Sequence, residues 1–399
     1  MAGWKECLLG DVVNLKRGYD LPHNARSPGP FPVVSSSGIT DHHSEAKVKG
    51  PGVVTGRYGT LGQVFFVESD YWPLNTSLYV QDFKGNDRRF VSYFLGTLNF
   101  GSQNAAGAVP GVNRNHLHAI GVRVPPLPVQ QRIAGTLSAY DELIENSQRR
   151  IKILEAMARA LYREWFVRFR FPGHEHHPRV ASPFGEIPQG WEVKTVADAF
   201  VISGGGTPSR KEDEFWAGGT IQWYSPSDLT RAGTMFIDDS SDHITERGLA
   251  QSSARMFPAR SVMLTSRATI GAIAINTHPA CTNQGFITCQ PNERVPLYFL
   301  FHWLIESVPT FQRMASGATF KEISRGVFKT IEFLQPPNDL VGRFEILATP
   351  LGEQVLALQR QVRNLRRTRD LLLPRLLSGQ IAVDANSGAI SDSPADPPH

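Results

Sequence analysis

The stretch IAGTLSAYDELIENSQRRIKILEAMARALYREW, residues 133–165, decides the fold. Apolar, aromatic and small residues recur in it at alternating steps of four and three, the heptad pattern of a helix that packs along another helix. These seam residues are Ile133, Leu137, Tyr140, Ile144, Ser147, Ile151, Leu154, Ala158, Leu161 and Trp165. We expect a helix of about 30 residues, roughly 45 Å long.

The same pattern recurs 211 residues later. The second seam consists of Phe344, Ala348, Leu351, Val355, Leu358, Val362, Leu365, Arg369, Leu372 and Leu376. Proline is tolerated in the first turn of a helix but not in its interior. We therefore expect a short helix first, and then a long helix that begins at Pro350.

The repeat extends upstream of both seams. Matching residues are Trp4 and Trp191, Asp11 and Asp198, Thr55 and Thr265, Arg57 and Arg267, Gly62 and Gly271, Asn75 and Asn283, and the proline pairs 125–126 and 336–337. The second copy is 24 residues longer, with 145 residues from Trp191 to Pro336 against 121 from Trp4 to Pro125. Such self-similarity indicates two copies of one structural unit.

Short runs rich in Val, Ile, Phe and Tyr between Gly and Pro predict strands at 52–55, 63–67, 77–80, 261–265 and 272–275. We expect an α+β fold: two mixed α/β domains separated by two long antiparallel helices that form a coiled-coil spacer, with a pseudo-twofold internal repeat. The expected segments are domain 1–126, helix 127–170, linker 171–190, domain 191–337, helix 338–380 and a disordered tail 381–399.

Composition narrows the class of protein. The 399 residues are 41% hydrophobic and 20% charged, which excludes global disorder. The three cysteines, Cys7, Cys281 and Cys289, form no CxxC pair, so we expect neither a disulfide framework nor a zinc ribbon. The first residues lack a basic-then-apolar leader and no run is long enough to span a membrane, so we expect a cytoplasmic protein with no membrane partner.

Net charge is only +4, but its distribution is uneven. Residues 130–170 carry eight Lys or Arg against five acidic residues, and residues 353–375 carry six against two. The positive charge is therefore concentrated on the two helical stretches, while the tail is acidic.

No catalytic motif stands out. Gly204–Gly206 is followed by Thr-Pro-Ser rather than by the Gly-Lys-Ser/Thr of a phosphate-binding loop. The proline pairs at 336–337 and 397–398 lack the aromatic residue of an amino-methyltransferase loop, and His174, His176 and His177 lie in a Pro/Gly-rich linker. Two copies of one unit joined by antiparallel helices have a pseudo-twofold symmetry that matches the symmetry of duplex DNA, so we expect a protein that recognises DNA. A DNA-modifying or DNA-cleaving enzyme with an unrecognised site, or a helical scaffold without a DNA role, remain the alternatives.

Several segments together resemble one family. In the first copy they are VVSSSGI (33–39), GPGVVTGRYGTLG (50–62) and PGVNRNHL (110–117); in the second, GGGTPSR (204–210), IQW (221–223) and SPSDL (225–229); in the helices, LEAMARALYREWF (154–166) and LRRTRDLLLPRLLSG (365–379). Over residues 1 to about 380, the chain resembles the specificity subunit of type I restriction-modification systems.

The resemblance implies two target recognition domains, 1–126 and 191–337, that bind a bipartite, asymmetric site on double-stranded DNA. It also implies that the two conserved helical regions dock two methyltransferase subunits, and that the assembly recruits motor-nuclease subunits. This chain would then catalyse nothing and hold no cofactor, because S-adenosylmethionine, ATP and magnesium serve the partner subunits.

Arg57 and Arg267 occupy matching Gly/Thr-rich turns, where an arginine can reach a phosphate or a guanine edge. Since both copies keep the arginine, we expect it to position DNA; the alternative is a local salt bridge. Segments that differ between the copies are candidates for base recognition, the alternative being turn and cap chemistry. These residues are Arg17, Ser35, Ser36, Ser37 and Tyr58 in the first copy, and Thr207, Ser209, Arg210, Lys211, Trp223, Ser225 and Asp228 in the second.

Met157, Ala160 and Phe166 are apolar but lie off the first seam, so we expect them to contact a helical partner subunit. The alternative is that the globular domains cover them. Arg369 is the charged residue of the second seam, and we expect it to face either an acid or a partner.

Overall fold

The computed structural model describes residues 3–57, 62–98, 112–317 and 321–381. The chain divides into two compact units, one formed by 1–145 and 363–399 and the other by 146–362. Each unit contains one copy of the repeat together with part of each long helix.

The described residues of the first unit form three sheets. Its elements are β1 (Lys5–Leu8), α1 (Leu9–Val12), β2 (Asn14–Arg17), β3 (Phe31–Ser35), β4 (Gly38–His43), β5 (Gly52–Gly56), β6 (Val64–Val67), β7 (Trp72–Pro73), β8 (Ser77–Asp82), α2 (Arg88–Thr97), α3 (Arg114–His118) and β9 (Gly121–Val124). The strand orders are β2-β8-β5-β6, β4-β3-β7 and β1-β9. Buried Leu15, Val53 and Leu78 of the four-stranded sheet share a core with Phe90 and Phe94 of α2.

The second unit repeats this arrangement. The two long helices, α4 (Leu127–Tyr162) and α10 (Asn338–Leu377), lie partly in each unit. The other elements of the second unit are β10 (Arg179–Ser182), β11 (Gly185–Pro188), β12 (Glu192–Thr195), α5 (Val196–Ala199), β13 (Val201–Gly204), β14 (Ile221–Tyr224), α6 (Pro226–Ala232), β15 (Phe236–Ile237), β16 (Asp242–Ile244), α7 (Glu246–Ala250), β17 (Val262–Thr265), β18 (Ile273–Asn276), β19 (Ala280–Thr282), β20 (Phe286–Gln290), α8 (Leu297–Met314), α9 (Arg325–Lys329) and β21 (Glu332–Gln335).

The strand orders of this unit are β13-β20-β17-β18-β15, β16-β14-β19 and β12-β21, with a separate β10-β11 hairpin. Apart from β15 and the β10-β11 hairpin, the sheets of this unit match those of the first unit strand for strand, which confirms the internal repeat. Much of the extra length lies between β14 and β16, where α6 and β15 replace the short turn at Ser36 and Ser37. All five runs predicted as strands are strands.

The heptad seams are largely buried, as predicted. In the first unit, Ile133 and Leu137 near the start of α4 share a core with Leu376 near the end of α10. In the second unit, Tyr162 at the end of α4 packs on Phe344 near the start of α10, with ring centroids 5.9 Å apart. The helices therefore run antiparallel along the seam.

Two expectations about these connections are wrong. The second helix does not begin at Pro350: α10 is continuous from Asn338 to Leu377. Ala348 and Val355 on either side of this proline are buried, so tertiary packing outweighs the missing N–H. The segment 171–190, predicted as a linker, is instead part of the second unit, because it forms the β10-β11 hairpin and buries Phe171 and Ile187 in the core of that unit.

Residues 382–399 of the predicted tail lie outside the described part of the chain. None of the helices that the structure describes is both long and apolar enough to cross a bilayer.

Candidate nucleic-acid interface

In the first unit, three strand ends meet one turn, residues 74–77. The Gly18 N–H, just after β2, donates to the Ser77 carbonyl (3.1 Å), and the Leu74 N–H donates to the carbonyl of Val34 in β3 (2.8 Å). The Arg57 N–H, just after β5, donates to the Thr76 carbonyl (3.1 Å). The predicted residues Arg17, Ser35 and Arg57 therefore lie around one end of the sheets.

In the second unit, the matching strand ends meet residues 282–285. The Gly206 N–H donates to the Thr282 carbonyl (2.9 Å), and the Asn283 N–H donates to the carbonyl of Tyr224 in β14 (3.0 Å). The Ser266 N–H, just after β17, donates to the Gly285 carbonyl (2.8 Å). The loop with Thr207, Ser209, Arg210 and Lys211 and the turn with Arg267 therefore flank the corresponding end of this unit.

The serines of the first unit close their own turn. Ser35 Oγ lies 2.9 Å from Ser37 Oγ and accepts from the Ser37 N–H (3.1 Å). Gly38 follows with φ +102°, a conformation that favours glycine. Ser35 and Ser37 thus perform the turn chemistry that was the alternative to base recognition, with Ser36 at the tip of the turn. Tyr58 lies outside the described residues.

Arg17 is well exposed at the end of β2. Its Nη2 lies 3.9 Å from Asp20 Oδ1, with 53% and 73% of the two side chains exposed. Such a surface ion pair contributes at most about 1 kcal/mol, so a phosphate can compete for the arginine.

The loop of the second unit holds its arginine firmly. The Arg210 guanidinium lies 3.6 Å from the ring centroid of Trp216, and its Nη2 donates to Asp242 Oδ2 (2.6 Å). Trp216 Nε1 donates in turn to the Ser209 carbonyl (3.0 Å), and Thr207 Oγ1 donates to Gln284 Oε1 (2.6 Å). Arg210, Lys211, Thr207 and Ser209 are all exposed, and their role in base recognition stays a prediction.

Trp223 does not fit base recognition, and the prediction for it is wrong. Its side chain is 3% exposed, its Nε1 donates to the Gly206 carbonyl (2.9 Å), and it shares a core with Ile244 and Cys281. It lies in β14 with its ring pointing into the unit, so it supports the loop that follows β13 from within.

Ser225 and Asp228 perform cap chemistry at the start of α6. Asp228 Oδ2 accepts from the Ser225 N–H and hydroxyl (both 2.8 Å), and Oδ1 accepts from the Ser241 N–H (3.2 Å). Burial alone would raise the pKa of Asp228, but the hydrogen bonds from Ser241 and Ser225 outweigh it and hold the pKa below its usual value. Base recognition by buried Asp228 is therefore a wrong prediction, and Ser225 is occupied with the cap.

Arg267 makes a local ion pair, the alternative foreseen for it. Its Nε lies 3.7 Å from Glu322 Oε2, with 49% and 42% of the side chains exposed. A pair this long and exposed is weak, so the arginine can exchange it for a phosphate. Arg57 is half-buried, and its carbonyl accepts from the Val112 N–H (3.0 Å).

The residues predicted to bind a partner subunit divide into two groups. Met157 and Ala160 are exposed on α4, as a docking role requires. Phe166 is buried against Trp191, Phe299 and Phe344, so the prediction of partner contact is wrong for it. It lies in a π-helical turn after α4, where the heptad spacing no longer predicts which residues are buried.

Sequence reasoning missed one residue of this face. Ile153, 54% exposed, lies one helical turn before Met157, itself 52% exposed. Ile153 lies two residues after the seam position Ile151 and therefore off the seam. A large apolar residue off the seam is the sequence feature that could have identified it. Arg369 meets an acid, Asp141, in the first unit.

Within the described ranges, no group of three His, Cys, Asp or Glu side chains is arranged to hold a metal ion. Burial raises the pKa of the Cys281 thiol to about 12 and also raises the pKa of Cys289. Thiols in this state are poor nucleophiles.

The chain matches the family model described as "Type I restriction modification DNA specificity domain" twice, over residues 1–156 and 188–339. One similar protein is the type I restriction enzyme MjaIX specificity subunit of Methanocaldococcus jannaschii, 38% identical over 158 residues, which are 39% of this chain and 36% of that protein. Another is the HindI specificity subunit of Haemophilus influenzae, 24% identical over an alignment that covers 96% of this chain and 100% of that protein.

The chain also shares its fold with a solved structure, the S subunit of a type I restriction-modification system from M. genitalium. The TM-score is 0.65 at 15% identity, and the match covers 94% of this chain and 96% of that one. With both copies of the repeat matched by the same domain model, the chain belongs to the type I restriction-modification DNA specificity family.

Proposed function

We propose that each unit recognises one half of a two-part, asymmetric sequence on double-stranded DNA. The observation that carries this proposal is the matched pair of strand ends around residues 74–77 and 282–285, which bear different exposed side chains in the two units. A shared framework gives both units the same approach to DNA, while different loops select different bases.

We further propose that the chain itself is not catalytic. It would direct methyltransferase subunits, which use S-adenosylmethionine, and motor-nuclease subunits, which use ATP and magnesium. Because the substrate would be the cell's own and invading DNA, the complex would act in the cytoplasm. Purified chain incubated with DNA and these cofactors should neither methylate nor cleave; turnover would favour the alternative of a self-contained enzyme.

The exposed face of α4 supports docking of a methyltransferase subunit. Ile153 and Met157 place two large apolar side chains in solvent one turn apart, with Ala160 on the same helix. An apolar patch on a helix that already packs through another face is a typical site for a further partner.

Deleting residues 353–380 would also be expected to abolish methyltransferase binding, but it would remove Val355 and Leu376 from the hydrophobic cores of the two units. Point variants on the exposed face of α4 therefore test docking more cleanly. Ile153→Glu combined with Met157→Glu should abolish capture of the methyltransferase subunit in a pull-down. Val201→Glu is the matched control, because Val201 is an apolar residue of the same unit, 61% exposed, but lies on β13. Equal capture by the α4 variant and the control would contradict this docking site.

A further inference from the structure

A second pair of matched arginines, Arg114 and Arg325, lies close to the pair already considered. They are 211 residues apart, the offset that relates the two seams. Arg114 is the first residue of α3 and Arg325 the first residue of α9. Each follows a residue whose side chain caps the helix, Asn113 or Ser324, so the two arginines hold the same position in the same element of both copies.

Backbone hydrogen bonds attach each arginine to the candidate interface. In the first unit, the Val112 N–H donates to the Arg57 carbonyl (3.0 Å), two residues before Arg114. In the second, the Ile323 N–H donates to the Ser266 carbonyl (2.9 Å), two residues before Arg325. Both arginines therefore follow a segment fixed to the strand end that carries Arg57 or Arg267.

Arg325 borders a hollow of about 390 Å³ whose wall includes Gly204, Gly205, Ser266, Gln284 and Ser324. A Cβ at Gly204 would lie 2.8 Å from Arg325 Cζ, so the glycine allows the guanidinium to lie against the strand end. Glu322, the ion-pair partner of Arg267, lines the same hollow. Arg325 and the weak Arg267–Glu322 pair thus adjoin one polar recess.

Both arginines are exposed, and neither makes an ion pair or a side-chain hydrogen bond within the part of the chain that the structure describes. Arg260 differs, because it binds Glu353 with both Nη atoms (2.7 and 3.0 Å). An uncompensated guanidinium beside polar backbone is suited to a phosphate, which it can bind through two parallel hydrogen bonds.

The repeat distinguishes a phosphate contact from a base contact. The loops around the two arginines differ in sequence, whereas the arginine itself is the same in both copies. A group that is kept while the recognition loops change contacts the part of DNA that does not change with sequence. We propose that Arg114 and Arg325 each bind a backbone phosphate and, with Arg57 and Arg267, position the duplex against the units; the inference rests on the proposed DNA-binding function.

Fluorescence anisotropy of the complex with its methyltransferase subunits tests the inference, using short duplexes with and without the motif that is methylated in cells. Arg325→Gln should weaken binding to both duplexes by the same factor, roughly threefold to tenfold, and reduce the slope of log affinity against log salt concentration by about one. Arg114→Gln should do the same. Arg325→Lys should retain most of the slope, because lysine keeps the charge.

Arg294→Gln is the control: this arginine is exposed and lies beyond the opposite end of β20 from the hollow. Binding by Arg325→Gln equal to that control, or a loss confined to the duplex with the motif, would overturn the phosphate assignment. Equal affinity of the unmodified complex for both duplexes would instead overturn the proposed sequence recognition, while the salt slope would still report on the phosphate contact.

Discussion

Arg369 Nη1 lies 2.6 Å from Asp141 Oδ1 in the first unit, so the charged residue of the second seam meets an acid of α4. The Tyr93 hydroxyl donates to the other carboxylate oxygen of Asp141. Burial and this hydrogen bond raise the pKa of Tyr93 above its usual value. A single polar position in an apolar seam specifies register, and Asp141 satisfies it here.

Asp141→Asn should lower the free energy of unfolding by about 1 kcal/mol, because it removes one of the two carboxylates that Arg369 binds, the other being Asp370. The cost stays small because the side chains of Arg369 and Asp141 are about one-third exposed. Urea unfolding of the full chain measures the change. The control is Arg366→Gln. Arg366 is an exposed residue of α10, one turn before Arg369, and its replacement should have no measurable effect on the free energy of unfolding. Equal stability of Asp141→Asn and the unmodified chain would show that the pair does not stabilise the seam.

The helices and sheets were largely predictable because spacing alone encodes which faces are buried. The continuity of α10 through Pro350 was not predictable, since it depends on how firmly Ala348 and Val355 are held by the rest of the unit. The β10-β11 hairpin was missed because Pro, Gly and His dominate its surroundings, and only tertiary contacts show that Phe171 and Ile187 are core residues.

The candidate site was predictable in place but not in detail. Polar loop residues predicted which end of the sheets forms the candidate interface, yet Ser, Thr and Asp side chains serve turns and caps as readily as ligands. Asp228 and Trp223 show the difficulty. Their types suit base edges, and only the structure shows that Asp228 is buried and caps α6, whereas Trp223 is buried beneath the loop after β13. Nothing in the sequence marks Arg114 and Arg325 except their separation of 211 residues, which equals the offset between the two seams.

Asp228→Asn should remove about 1–2 kcal/mol of stability near neutral pH through loss of the cap. Because the pKa of Asp228 is lower folded than unfolded, its contribution is present above the unfolded value of about 3.9 and is lost as pH falls through the folded value. The difference between variant and unmodified chain in urea unfolding should shrink on acidification below that point. A pH-independent difference would contradict the role of the ionised carboxylate.

Trp223→Phe should lower stability by about 1–2 kcal/mol, since it removes the donor to the Gly206 carbonyl and reduces buried area. Thermal unfolding measures the cost. The sequence methylated in cells should stay the same, because the ring lies inside the unit. A changed base preference without loss of stability would reinstate Trp223 as a residue that contacts DNA.

Arg57→Ala should weaken DNA binding by a similar factor on all sequences, as expected for a residue that contacts phosphate. Anisotropy titrations on a panel of duplexes with single base-pair changes would show this, with circular dichroism to confirm that the variant folds. A selective change at one base pair would instead assign Arg57 to base recognition.

Lys211→Ala should alter only the half of the motif recognised by the second unit. Lys211 is exposed, and the preceding residue, Arg210, is held by Trp216 and Asp242. Removing the Lys211 side chain therefore leaves the conformation of the loop unchanged. Sequencing of methylated DNA from cells with the variant measures both halves at once. Relaxation of both halves, or of neither, would contradict the assignment.

The most direct measurement of the central claim is genome-wide methylation in cells with and without this chain, the methyltransferase being present in both. We expect one motif of two different half-sites, separated by a fixed gap, to be methylated only when the chain is present. An unchanged methylation pattern, or a continuous motif without a gap, would contradict recognition of a two-part site by two units of one chain.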